Sequence, residues 1–138
     1  MAESIDFYIL SERHNRMSFI GRLTEQLQRD QQAIHIHTDD EELAKKIDTA
    51  LWTARDISFV PHELVGNKDQ ALVMIGVHDK PEHTNIMINC ANEVPEFYND
   101  FKRVVEIIDP DETLKTIGRE HYKYYKDKGH SINDHKID

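Results

Sequence analysis

Cysteine is nearly missing from this chain: its 138 residues hold one, Cys90. That excludes an internal disulfide and a cysteine-based zinc site, and it fits a reducing cytoplasm. Glycine is scarce too, and no two of the five (Gly21, Gly66, Gly76, Gly118, Gly129) are close in sequence. Neither a Gly-x-x-x-x-Gly-Lys-Ser/Thr phosphate loop nor a dinucleotide fingerprint can be built from them. There is no Gly-x-Ser-x-Gly elbow, and Cys90 has no evident base beside it. No apolar run approaches the roughly 20 residues that cross a bilayer. The opening Met1-Ala2-Glu3-Ser4 is acidic and polar, unlike a signal peptide, so a cytoplasmic location is expected. Positive charge is short as well. Lys and Arg number 17 against 26 Asp and Glu, a formal net charge of −9. Such a field repels phosphates and argues against general nucleic-acid binding. Any anion-binding function has to come from a local basic patch.

What is present reads as one globular domain over residues 1–138, with 38% hydrophobic and 31% charged residues. Ile5 to Leu10 carries a single charge, Asp6, and reads as a strand covered on both faces. Phe19, Ile20, Leu23 and Leu27 recur at helical spacing from about Met17 to Gln32, and Ala33 to Thr38 is a second strand. Thr38-Asp39-Asp40-Glu41 opens a helix that turns Leu43, Ile47 and Leu51 inward. Ala71 to Val77, Ile86 to Ile88 and Val104 to Ile108 are further apolar strands, and Phe97, Tyr98 and Phe101 mark a short helix. Alternating strands and helices predict a three-layer α/β/α domain with a mainly parallel central sheet, Rossmann-like but lacking a nucleotide-binding loop. The last helix reads as Asp109 to Lys128, with Asp109 as N-cap, Pro110 in the first turn and Gly129 just past its end. His130 to Asp138 is expected to be a loose tail.

Two stretches stand out. On the last helix, 100° per residue sets Leu114, Ile117, His121 and Tyr125 on one arc, while Lys115, Arg119, Tyr122, Lys123 and Lys126 share another. Four cations around a tyrosine, on a chain of net charge −9, suit a short acidic peptide with an aromatic end or a free carboxylate. A salt-bridged surface helix is the bland alternative. The second stretch is Ala50-Leu51-Trp52 followed by Ser58-Phe59-Val60-Pro61-His62-Glu63-Leu64, where Pro61 biases Val60 to an extended conformation. Trp52 and Phe59 either complete the domain's own core or anchor another subunit. Among nine histidines, His35 and His37 share a strand face, but no third metal ligand follows from spacing, and no metal or cofactor is expected.

The run Leu51-Trp52, Ser58-Phe59-Val60-Pro61-His62 and Leu64-x-Gly66 resembles the chi subunit of bacterial DNA polymerase III holoenzyme. So do Phe7-Tyr8 in the opening strand and Leu114-Lys115, Arg119-Glu120 and Tyr122-Lys123 near the C-terminus. The resemblance implies a replication accessory subunit without catalysis of its own. It implies that Lys115, Arg119, Tyr122 and Lys123 bind the acidic C-terminal tail of single-stranded DNA-binding protein, with Ile108 as an apolar floor. It also implies that Trp52, Phe59 and the adjoining Val60 face the psi subunit, which tethers chi to the clamp loader. Contact with nucleic acid is then indirect. Pro110 lies two places after Ile108 rather than directly after it, which alters the pocket's rim. The reading from another class is a small cytoplasmic α/β enzyme with an unrecognised nucleotide or metal site.

Overall fold

A computed structural model describes residues 2–53, 62–63, 73–77 and 84–138. In chain order the elements are β1 (Ser4–Leu10), α1 (Arg16–Arg29), β2 (Ile34–Thr38), α2 (Glu41–Thr53), β3 (His62–Glu63) and β4 (Val73–Val77). There follow β5 (Ile86–Asn89), a 3₁₀ helix (Glu96–Asp100), β6 (Arg103–Ile108), α3 (Glu112–Asp127) and β7 (Ile132–Ile137). Among the described residues the strands form a seven-stranded sheet in the order β3-β4-β2-β5-β6-β1-β7. Every neighbouring pair is parallel.

The side chains of a strand alternate between its two faces, and here they separate two apolar layers. Ile34, Ile36, Ile86, Ile88 and Val105 pack under Ile20, Leu23 and Leu27 of α1 and Ile47 and Leu51 of α2. Ile5, Phe7, Met87 and Val104 project to the opposite face, beneath Tyr98, Phe101 and Tyr125. This is the α/β/α layering that unbroken apolar strands predict, since a parallel sheet exposes neither face to water.

The C-terminal segment departs from the expected loose tail. Ile132–Ile137 is an edge strand paired in register with β1, from Ile5↔Ile132 to Leu10↔Ile137. The buried carboxylate of Asp6 holds it there. Asp6 accepts from Asn133 Nδ2 at 3.2 Å, meets His135 Nε2 at 3.0 Å and pairs with Arg103 Nε of β6 at 2.6 Å. One carboxylate thus ties three adjacent strands. The His135 ring stacks on Tyr8, with centroids 4.7 Å apart. Two apolar residues at the ends of β7 and polar ones between them are the pattern of a strand covered only in part. It is easily read as a solvated tail.

Candidate peptide-binding face on the last helix

The N-terminus of α3 also differs from expectation. Asp111, not Asp109, is the N-cap, its side chain accepting from Leu114 N at 3.1 Å. Asp109 is committed elsewhere, accepting from Arg16 N at 2.7 Å and from Asp111 N at 2.9 Å. It clasps the start of α1 to the end of β6, which leaves Pro110 outside the helix. The far end follows the sequence pattern. Gly129 has φ 92°, Gly129 N donates to Lys126 O at 3.0 Å and His130 N to Tyr125 O at 3.1 Å. Those are the paired bonds of a Schellman motif, which turns the chain into β7.

Two features fix how α3 lies on the sheet. Gly118 is one: a Cβ there would come within 2.8 Å of Ile108 Cγ1, so helix and β6 approach as closely as the missing side chain allows. A buried polar network is the other. Glu106 of β6 meets His121 Nδ1 at 3.0 Å through Oε1, and its Oε2 accepts from Tyr125 OH at 2.7 Å and Asn89 Nδ2 at 2.8 Å. His121 and Tyr125 therefore face the sheet, and the rotation of the helix is set.

With that rotation, Arg119, Lys123 and Lys126 are exposed, while Lys115 and Tyr122 are half-buried. Lys115 Nζ lies 3.7 Å from Glu112 Oε1 one turn earlier, so one cation of the stripe has a local partner. Among the described residues, Arg119 and Lys123 have no ion pair. Lys126 Nζ sits 5.7 Å from the centre of the Tyr122 ring. That ring packs edge-on against Phe7, centroids 5.0 Å apart, in the same apolar cluster as Ile108 and Ile132. Tyr122 and Ile108 thus share one apolar cluster, with Lys126 over the tyrosine ring. Burial of the ring and the nearby Asp134 carboxylate push the Tyr122 phenol above its ordinary pKa, so it remains a donor. Its hydroxyl donates to Asp134 Oδ2 at 3.3 Å. Asp134 and Ile132 belong to β7 and were not among the residues singled out from sequence. Only the alternation Ile132-x-Asp134-x-Lys136 could have pointed to them.

Phe59 and Val60 lie outside the described residues. The backbone of Trp52 forms part of the last turn of α2, but its side chain is outside the description too. His35 and His37 do share a face. They are buried, 6.0 Å apart between ring centres, with Phe97 edge-on to His37 at 5.2 Å and Phe101 stacked on His35 at 5.8 Å. Among the described residues no cluster of three His, Cys, Asp or Glu side chains is placed to hold a metal ion. Burial pushes the Cys90 thiol up to about 11, leaving it protonated at neutral pH.

A cavity of about 650 Å³ opens beside the carboxyl end of β2, between His37, Asp39, Glu93, Glu96, Phe97 and Asp100. Ligands of open α/β sheets usually bind at that end. Four carboxylates on its wall repel a nucleotide phosphate.

The family model described as DNA polymerase III chi subunit, HolC, matches residues 1–133. The chain is 28% identical over 136 residues to the DNA polymerase III subunit chi of Pseudomonas aeruginosa, covering 96% of each chain. It is 27% identical to that of Haemophilus influenzae over 143 residues and 99% of each chain. To that of Escherichia coli it is 33% identical over 102 residues, 71% of this chain and 69% of the relative. With a fold-wide family match and relatives aligned end to end, the chain belongs to the DNA polymerase III chi subunit family.

Proposed function

We propose that the chain is a non-catalytic adaptor of DNA replication. It links the clamp-loader complex of DNA polymerase III, through psi, to the acidic C-terminal tail of single-stranded DNA-binding protein. Family membership supports the replicative setting. The observation that carries the tail-binding half is the outward face of α3. There Arg119 and Lys123 lack ion pairs among the described residues, and Tyr122 and Ile108 share one apolar cluster beside them. A planar guanidinium takes a terminal carboxylate in two parallel bonds, and the flanking lysines attract acidic residues less specifically. The apolar cluster offers a seat for an aromatic end.

The psi contact is assigned to Trp52, Phe59 and Val60, on the resemblance of the run around them to the family. In this reading the protein has no cofactor and no substrate, and its partners are proteins. The enzyme alternative finds no support in the acidic cavity, which is ill suited to a phosphorylated ligand.

The test is titration of a fluorescent acidic peptide ending in an aromatic residue with a free carboxylate, at low and high salt. Binding that weakens with salt supports the reading. No binding at low salt would remove the tail-binding half. Co-purification of psi tests the other half.

A further inference from the structure

Resting on the reading that α3 takes an acidic peptide, we propose that Asp134 of β7 is a built-in competitor for that peptide and limits its affinity. The register of β7 on β1 sets Asn133 opposite Asp6 and Asp134 opposite Phe7. Asn133 bonds Asp6, so Asp134 and its neighbours Ile132 and Lys136 turn to the face that carries α3. There Asp134 Oδ2 accepts from Tyr122 OH at 3.3 Å, above the ring that Phe7 supports and Lys126 approaches. A carboxylate thus already holds the tyrosine hydroxyl on the face where an acidic peptide is expected to lie.

The conflict has two parts. The Tyr122 hydroxyl has one proton, which it cannot give to Asp134 and to a ligand carboxylate together. Asp134 is exposed and has no ion-pair partner among the described residues, so its charge faces an arriving anion unneutralised. Glu112, at the start of the stripe, is paired with Lys115 one turn into the helix, and among the described residues neither it nor Asp127 at the far edge bonds Tyr122. Among the described residues, Asp134 is therefore the carboxylate that bonds Tyr122.

The experiment titrates a fluorescein-labelled oligo-aspartate peptide ending in phenylalanine with a free carboxylate. It is added to the full chain as wild type, Asp134→Asn, Asp134→Ser, Tyr122→Phe and the double variant Asp134→Asn/Tyr122→Phe, at low salt. Both Asp134 variants are expected to bind roughly two- to fivefold more tightly, the scale of one exposed charge pair. The gain is expected to shrink in the Tyr122→Phe background. Equal or weaker binding by both Asp134 variants, with wild-type thermal unfolding, would overturn the inference while peptide binding by the wild type left the parent reading standing. A gain of the same size without the hydroxyl would overturn the shared-proton account. If no variant binds the peptide, the parent reading and this inference fall together.

Discussion

His121 and Glu106 form a buried pair in which both imidazole nitrogens have an oxygen partner. Nε2 faces the carbonyl of Asn92 at 2.8 Å, which can only accept, and Nδ1 faces Glu106 Oε1 at 3.0 Å. The carboxylate also accepts from Tyr125 and Asn89, an environment that favours positive charge on the ring. Burial works against that charge, but the hydrogen bond and the charge of Glu106 outweigh it, and the His121 pKa is raised above 6.5. A raised pKa stabilises the fold fully below the unfolded value and ceases to do so as pH climbs through the folded value. The midpoint of thermal unfolding should fall from mildly acidic pH upward through that raised value. His121→Gln should flatten this slope. Breaking a buried pair from one side costs about 3–5 kcal/mol, so His121→Ala should be markedly less stable at acidic pH in urea unfolding.

Gly118→Ala tests the closeness of α3 to β6. Alanine favours a helix by about 1 kcal/mol over glycine, yet its Cβ would meet Ile108 Cγ1 at 2.8 Å. Ile108 is branched at Cβ and has little rotamer freedom with which to withdraw, and overpacking costs about 1–3 kcal/mol. Net destabilisation is expected in chemical unfolding. Adding Ile108→Ala should recover part of it, more than the two single effects predict by addition. A neutral or stabilised single variant would mean that the helix can ride up without penalty.

Asp6 offers the opposite pH signature. Burial alone would raise its pKa, but hydrogen bonds from His135 and Arg103 together with the Arg103 charge bring it below 3.8. Its contribution is present above the unfolded value and is lost as pH falls through the depressed one. Asp6→Asn should weaken the hold on β7. Hydrogen exchange at the amides of Ile132–Ile137 should then quicken relative to those of β5. Unchanged protection would show that the ring stack and backbone ladder suffice.

Binding of an acidic peptide should rank the cations of α3. A charge-assisted bond is worth about 1.5–3 kcal/mol and an exposed ion pair about 0–1. Arg119→Ala is expected to weaken binding by tenfold or more, Lys123→Ala and Lys126→Ala by a few fold each. Anisotropy titrations at two salt concentrations read both the ranking and the screening. Arg119→Ala binding like wild type would remove it from the carboxylate site.

For the psi contact, Phe59→Ala should weaken association by about 2 kcal/mol or more while the protein still folds, as a central aromatic anchor would. Calorimetric titration with psi reads the first quantity and circular dichroism the second. An unfolded variant would identify Phe59 as core.

The layers were legible because helical and alternating periodicities are local. Phe19, Ile20, Leu23 and Leu27 mark α1 wherever it packs, and the apolar strands announce a sheet covered on both sides. The stripe on α3 was legible for the same reason, five residues of one helix sharing an arc. Contacts that join distant segments were not. Asp109 reads as the cap from sequence, but Arg16, far away in the chain, claims its carboxylate and Asp111 caps the helix instead. Nothing near Asp134 says that Tyr122 will lie across from it. Glu106 stands out as a charge within Val104 to Ile108, but its purpose appears only when α3 brings His121 and Tyr125 over it.

The sheet order has a consequence for synthesis. β1 is the first of the described strands to leave the ribosome, yet both of its neighbours, β6 and β7, come from the last third of the chain. The nascent β1 must wait, its apolar side chains unpaired, until β6 and β7 have been made. Pairings so far apart in sequence close slowly, and the waiting strand is exposed to aggregation. A chain halted before Ile132 leaves β1 with an open flank.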